Sequence, residues 1–363
     1  MGRVYNFSAG PSTLPLPALE QIQRDFIDYQ GTGMGVMEMS HRGKEFKKIF
    51  EDTKIMLREV YEIPENFHIL FTTGGASMQF AMIPMNFLGE GSADYIDTGS
   101  WSSKAIKEAK IQGKSYRVAA STKGEDGVYR RIPKQEELNL DKNARFVHIT
   151  TNNTIFGTQY HTIPDTGGIP IIADMSSDIM YKKIDFTPFG MIYAGAQKNL
   201  GPAGVTLVLL RDDMVDRIAD GLPTMLTYKT YIEKDSMFNT PPCFPIYVIN
   251  EVLRYIQSIG GLDTISAWNK EKFDLIYGKI DEHPDFFKGT AEADSRSWMN
   301  VTWRLPNEDL EKAFITEAQA EGLVTLKGHR SVGGLRASIY NAMPVEGVQK
   351  LVDFMETFYQ KNK

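Results

Sequence analysis

The chain has 363 residues, more than one ordinary core absorbs, so two domains or one large α/β domain with an appendage is expected. A net charge of −6 gives no global basic field for nucleic acid or an anionic membrane, so an anionic ligand would need a local basic cluster. The single cysteine, Cys243, forms no internal disulfide and fits a reducing compartment. Met1-Gly2-Arg3-Val4-Tyr5-Asn6 has no apolar signal core, and the expectation is a soluble cytoplasmic protein.

Residues 17–30 read as a helix with Leu19, Ile22, Phe26 and Tyr29 on one stripe, and 44–61 as a second with Phe46, Ile49, Phe50, Leu57 and Val60. Short apolar runs then alternate with helical ones. His68–Thr73 reads as strand, Ala76–Leu88 as helix, Asp94–Asp97 as strand and Ser102–Gln112 as helix. Further strands are expected at Arg145–Thr150, Ile169–Asp174, Met191–Ala194 and Val205–Leu210. Such alternation argues for an α/β fold, a mostly parallel sheet covered by helices. Past Gly260-Gly261 the pattern changes to a helix at 262–282, a strand at Trp298–Trp303, a helix at 307–321, strands near 323–327 and 334–340, and a helix at 344–360. That is a smaller α+β unit. The expected division is an N-terminal segment 1–16 near the active site, a large domain 17–260 and a small domain 261–363.

Lys198 stands in Ala194-Gly195-Ala196-Gln197-Lys198-Asn199-Leu200-Gly201-Pro202, a glycine-rich stretch between two apolar runs. Burial there lowers an amine's pKa and frees its lone pair for Schiff-base chemistry. Upstream, Ile169-Pro170-Ile171-Ile172-Ala173 ends in Asp174, where a carboxylate can pair with a pyridinium nitrogen. Either residue alone is commonplace, a surface lysine or a helix-capping aspartate; the pair is not. Thr72-Thr73-Gly74-Gly75-Ala76-Ser77 follows a strand and opens a helix, so its free N–H groups can receive a phosphate. Trp101 can stack on a flat ring, and Thr151 to Gly157 offers polar groups beyond another strand. Gly75, Trp101, Thr154, Asp174 and Lys198 all fall at the carboxyl ends of strands, where open α/β sheets hold ligands.

Rival phosphate motifs fail. Gly113-Lys114-Ser115 lacks the Walker glycine because position 108 is Glu108, and Gly31 to Gly35 follows a helix rather than a strand. Two basic pairs, His41-Arg42 and His329-Arg330, can grip carboxylate or phosphate. The histidines show no metal-ligand spacing, so no metal is expected.

The chain resembles the phosphoserine aminotransferases among the fold-type I pyridoxal phosphate (PLP) enzymes. The likeness runs from Tyr5-Asn6-Phe7-Ser8-Ala9-Gly10-Pro11 to Gly334-Leu335-Arg336-Ala337-Ser338, through MEMSHRG, GGAS, NNTIFG, AGAQKNLGPAG and GHRSVGGLRAS. It implies a PLP-binding large domain with a seven-stranded sheet, a small C-terminal domain and a homodimer with shared active sites. The implied activity is transamination of L-phosphoserine with 2-oxoglutarate in serine biosynthesis; some relatives also serve pyridoxine biosynthesis. On this likeness Lys198 carries the cofactor and shuttles a proton, Asp174 faces the ring nitrogen, Trp101 stacks on the ring and Thr154 lies near its hydroxyl. Backbone at Ala76 and Ser77, with Gln197 and the partner's Asn239 and Thr240, would hold the cofactor phosphate. Arg336 would take the substrate α-carboxylate. His329 and Arg330, with the partner's His41 and Arg42, would hold the substrate phosphate or the γ-carboxylate of glutamate. Ser77 stands where some relatives have arginine, and Asn153 where many have glutamate. The alternatives are a fold-type I aminotransferase for a small unphosphorylated amino acid, or a cofactor- or nucleotide-binding regulatory protein without turnover.

Overall fold

The computed structural model describes residues 2–363. Its centre is a seven-stranded sheet of β1 (Phe67–Thr72), β2 (Ser92–Asp97), β3 (Ser115–Ser121), β4 (Val147–Thr150), β5 (Ile171–Asp174), β6 (Phe189–Gly195) and β7 (Thr206–Arg211). The order across the sheet is β1-β7-β6-β5-β4-β2-β3; β7 runs antiparallel to both its neighbours and every other pair is parallel. Strands β4, β5 and β6 are buried throughout, which explains their unbroken apolar runs: helices cover both faces.

One face carries α1 (Leu16–Asp25), α2 (Lys44–Tyr61) and α5 (Cys243–Ser258); the other carries α3 (Gly75–Phe87) and α4 (Ser100–Ile111). Helix α2 buries Phe46, Ile49, Phe50, Thr53, Leu57 and Val60, an i, i+3, i+4 stripe, and stops at Glu62 in the left-handed conformation. A second core gathers Phe7 and residues between Ile276 and Phe358 around a three-stranded sheet of β8 (Lys288–Gly289), β9 (Asn300–Arg304) and β10 (Leu335–Ser338). Helix α6 (Gly261–Glu282) serves both cores, Leu262 and Ile265 in the first, Ile276 and Ile280 in the second. Helices α7 (Glu308–Ala320) and α8 (Val345–Asn362) complete the smaller unit. No described helix is long and apolar enough to cross a membrane.

Several expectations need correction. The first helix ends at Asp25, not 30, and the chain turns through Gln30 at φ 51°. The strand expected at 323–327 is Leu323–Val324, pairing with Tyr5–Asn6. Strand β3 and helix α5 were not foreseen. Ser115–Ser121 is a half-exposed edge strand without a continuous apolar run, and α5 buries nine residues around most of its circumference, which blurs any stripe.

Candidate active site

Register brings the chemistry together. Thr150 lies beside Asp174 and Asp174 beside Tyr193, so β4, β5 and β6 end at one level. The lysine loop leaves β6 just beyond, and the Lys198 Nζ donates to Thr154 Oγ1 at 2.7 Å. The Trp101 ring centre is 5.6 Å from that nitrogen. Burial depresses the lysine to about 8, with Asp174 opposing and Arg336 reinforcing the shift. An amine so placed is partly neutral at physiological pH, as a nucleophile requires.

Asp174 is buried, and burial pushes its carboxyl up; the Ser176 hydrogen bond and the Lys198 charge pull it back. Ser176 donates its backbone N–H to Asp174 Oδ1 at 2.9 Å. A carboxylate in that position gains from a cation brought to it. Gly74, at φ 86°, is the last residue before α3, where a Cβ would lie 2.6 Å from that of Met78. No side chain caps the helix, so the N–H groups at Gly75, Ala76 and Ser77 face outward without helical partners. Ser77 is exposed rather than capping.

Arg336, on β10 of the second core, donates to the Thr154 carbonyl at 3.2 Å, so one threonine meets both Arg336 and Lys198. The N-terminal segment also closes on the lysine loop: Ser12 takes its N–H to the Gln197 carbonyl at 3.0 Å and its hydroxyl to that of Lys198. His329 and Arg330 lie in the turn before β10, with the His329 Nδ1 2.7 Å from the Ser331 hydroxyl. Burial lowers the His329 pKa, and Arg336, Arg330 and Lys104 lower it further. By contrast, His41, Arg42, Asn239 and Thr240 make no hydrogen bond or ion pair to this cluster among the described residues. Arg42, Asn239 and Thr240 are exposed.

The sequence reading missed two charged residues. Asp178, one turn past Asp174, is 3% exposed and takes hydrogen bonds from Thr151 at 2.6 Å and Gln159 at 3.2 Å. Lys104 lies over Trp101, one helical turn on; the i, i+3 spacing was the available signal. Asn152 and Asn153 are buried structural ties: Asn152 bonds Ser177 and Asn300, and Asn153 bonds Thr98 and Thr158.

The aminotransferase class-V family model matches residues 4–351. A phosphoserine aminotransferase of Desulfosudis oleivorans is 56% identical, the match covering 99% of each chain. The chain belongs to the phosphoserine aminotransferase family. Among solved structures, the phosphoserine aminotransferase from Bacillus circulans subsp. alkalophilus is 52% identical and superposes with a TM-score of 0.96 over 99% of each chain. The PLP-bound enzyme from Trichomonas vaginalis is 38% identical, with a TM-score of 0.92 over 98% of this chain and 100% of that one. The chain is thus a PLP-dependent aminotransferase in the fold-type I arrangement. Its described residues suit that cofactor: an amine in reach of an aromatic face and, among the described residues, a buried carboxylate without an ion pair and unpaired N–H groups at a helix start.

Proposed function

We propose that the enzyme moves the amino group of L-phosphoserine to 2-oxoglutarate, giving 3-phosphohydroxypyruvate and L-glutamate, as a step of serine biosynthesis in the cytoplasm. The observation that carries this reading is the basic cluster of His329, Arg330 and Arg336 beside Lys198, in a chain 56% identical to a phosphoserine aminotransferase. When bound, PLP supplies an electron sink for the pair left as the substrate Cα–H bond breaks. With the cofactor bound, Lys198 would hold it, and its free amine would move the proton at the substrate Cα. Asp174 would favour a protonated ring nitrogen, Trp101 would bind the ring face, and Thr154, which accepts from Lys198, would orient the lysine and the ring hydroxyl. Ala76, Ser77 and Gln197 would receive the cofactor phosphate, and Arg336 the substrate α-carboxylate.

The remaining groups come from a second copy in a two-fold dimer: the partner's Asn239 and Thr240 at the cofactor phosphate, the partner's His41 and Arg42 at the substrate's distal anion. Large exposed apolar side chains in the same segments support this: Phe26, Ile27, Met34 and Met37 before His41, and Phe238 beside Asn239. The division into segment 1–16, large domain 17–260 and small domain 261–363 belongs to the same proposal.

The test is steady-state turnover of phosphoserine against serine by the holoenzyme. Phosphoserine should be strongly preferred, and Arg330→Ala should lower its kcat/KM roughly 10- to 150-fold while sparing residual serine turnover. Equal losses on both substrates would assign Arg330 to structure or to the α-carboxylate, and an enzyme preferring serine would overturn the reading.

A further inference from the structure

Trp101 and Lys104 share one face of α4, a turn apart. The Lys104 ammonium lies 4.0 Å from the centre of the Trp101 ring, the same indole that faces the Lys198 amine. Lys104 is exposed, and among the described residues its ammonium has no ion pair and no hydrogen bond. Basic side chains elsewhere are commonly matched: Lys279 meets Glu356 at 2.8 Å, Arg304 meets Glu311 at 2.6 Å, and Lys183 meets Glu62 at 2.9 Å. Around His329 the reverse holds. Among the described residues Arg330 is also without a carboxylate, and Arg336 has only the Thr154 carbonyl. Lys104, Arg330 and Arg336 all act on His329, and no acidic group stands among the charges that do. Like charges gathered around one histidine repel one another until an anion arrives, so their arrangement stores affinity for a highly charged ligand.

We propose that Lys104 is a further specificity-determining residue, its ammonium sharing the charge of the substrate's distal anion and favouring a dianion over a monoanion. This rests on the reading of the substrate given above. A phosphate monoester carries about −1.5 to −2 charges at neutral pH, against −1 for a carboxylate. An arginine fork already satisfies a carboxylate in a bidentate way, so an added cation gains most from the second negative charge. Lysine suits this role because it is a compact point charge on a flexible stem, free to leave the indole face and follow the anion.

Lys104→Met and Lys104→Arg holoenzymes would be compared with wild type for kcat and KM with phosphoserine, and with glutamate in the reverse direction. The methionine variant should lose about 3- to 10-fold in phosphoserine kcat/KM relative to its loss with glutamate, through KM, and arginine should restore most of it. A second readout needs no turnover: the dissociation constant of inorganic phosphate, followed by tryptophan fluorescence. It should weaken by a similar factor in Lys104→Met and recover in Lys104→Arg. Wild-type selectivity and phosphate affinity in the methionine variant, or failure of arginine to rescue, would overturn the proposal. The two readings fail separately. A wild type indifferent to the substrate phosphate defeats the assigned reaction, whereas a wild type that prefers phosphoserine and a methionine variant that does so equally defeats Lys104 alone.

Discussion

Replacing Asp178 with asparagine should stabilise the folded protein progressively as pH rises, and the size of the effect follows from its surroundings. The carboxyl is 3% exposed, and burial pushes it from 3.8 up to about 7, against the hydrogen bonds from Thr151 and Gln159. The nearby Asp174 charge adds to the rise, the Lys198 charge opposes it, and the Thr151 contact can serve the protonated form as well. The Thr151 hydroxyl lies 3.1 Å from the Asp174 carbonyl and 2.6 Å from Asp178 Oδ1, yet has one hydrogen to give. A protonated Asp178 donates to Thr151, which leaves that hydrogen for Asp174. Between pH 3.8 and about 7 the unfolded chain has released this proton while the folded chain still holds it, so stability falls as pH rises through that window and levels off above it. From pH 5 to pH 8 the acid therefore costs roughly 3 kcal/mol, about two pH units at 1.36 kcal/mol each. Asparagine keeps the shape, presents N–H to Thr151 and a carbonyl to Gln159, and has no proton to lose. Urea unfolding of both holoproteins at several pH values gives the difference directly, other titrating groups largely cancelling. It should grow from pH 5 to 7 and then stay level. A difference independent of pH would refute a carboxyl held protonated in the fold.

Lys272 is fully buried, and its Nζ reaches the carbonyls of Ile339, Tyr340 and Met343 at 2.9, 2.7 and 3.0 Å. Burial lowers its pKa to about 7, while three carbonyls match an ammonium's three donors. Lys272→Met keeps the length but strands all three, and should lower unfolding free energy by about 3 kcal/mol or more, measured by urea titration; an unchanged midpoint would contradict the clasp. For the shared site, coexpression of Lys198→Ala with Arg42→Ala should restore roughly a quarter of wild-type activity, since half of random pairings are mixed and each mixed dimer keeps one intact site. Isolated mixed dimers without activity would sink the two-chain site.

Much of this was legible in the sequence because the sheet is covered on both sides. Ile171–Asp174 and Thr206–Arg211 announce themselves as apolar runs since water reaches almost none of their side chains. Ser115–Ser121 does not, because an edge strand with exposed Ser115, Val118 and Ser121 and half-exposed neighbours resembles a loop in composition. Within the site, Lys198, Asp174, Trp101 and Thr154 were recognisable from their places at strand ends, which depend on local chain order. Asp178 was not, because its state depends on burial and on Gln159, positions that only the folded β-sheet edge brings together. Asn152 and Asn153 illustrate the converse. Their polarity suggests ligand contacts, but Asn300 and Thr158 claim them.

The polar lattice around Asn300 bears on how Arg336 and Lys198 are held relative to each other. Asn300 accepts from Asn152 at 2.8 Å and donates to Ser338 at 2.9 Å and Tyr340 at 3.1 Å, and Tyr340 donates on to the Ala9 carbonyl at 2.8 Å. These bonds tie the loop after β4 to β9, β10 and the N-terminal segment. A buried network whose members are paired resists sliding, because any shift strands donors and acceptors away from water. Arg336 lies on β10 two residues before Ser338, and Thr154 two residues after Asn152, so the lattice fixes the arginine relative to the threonine that holds Lys198. Substrate held at Arg336 by its α-carboxylate would therefore present its Cα to the lysine at a distance set by packing rather than by loop motion. Near-attack placement of that kind is where much of a bound reactant's rate advantage originates.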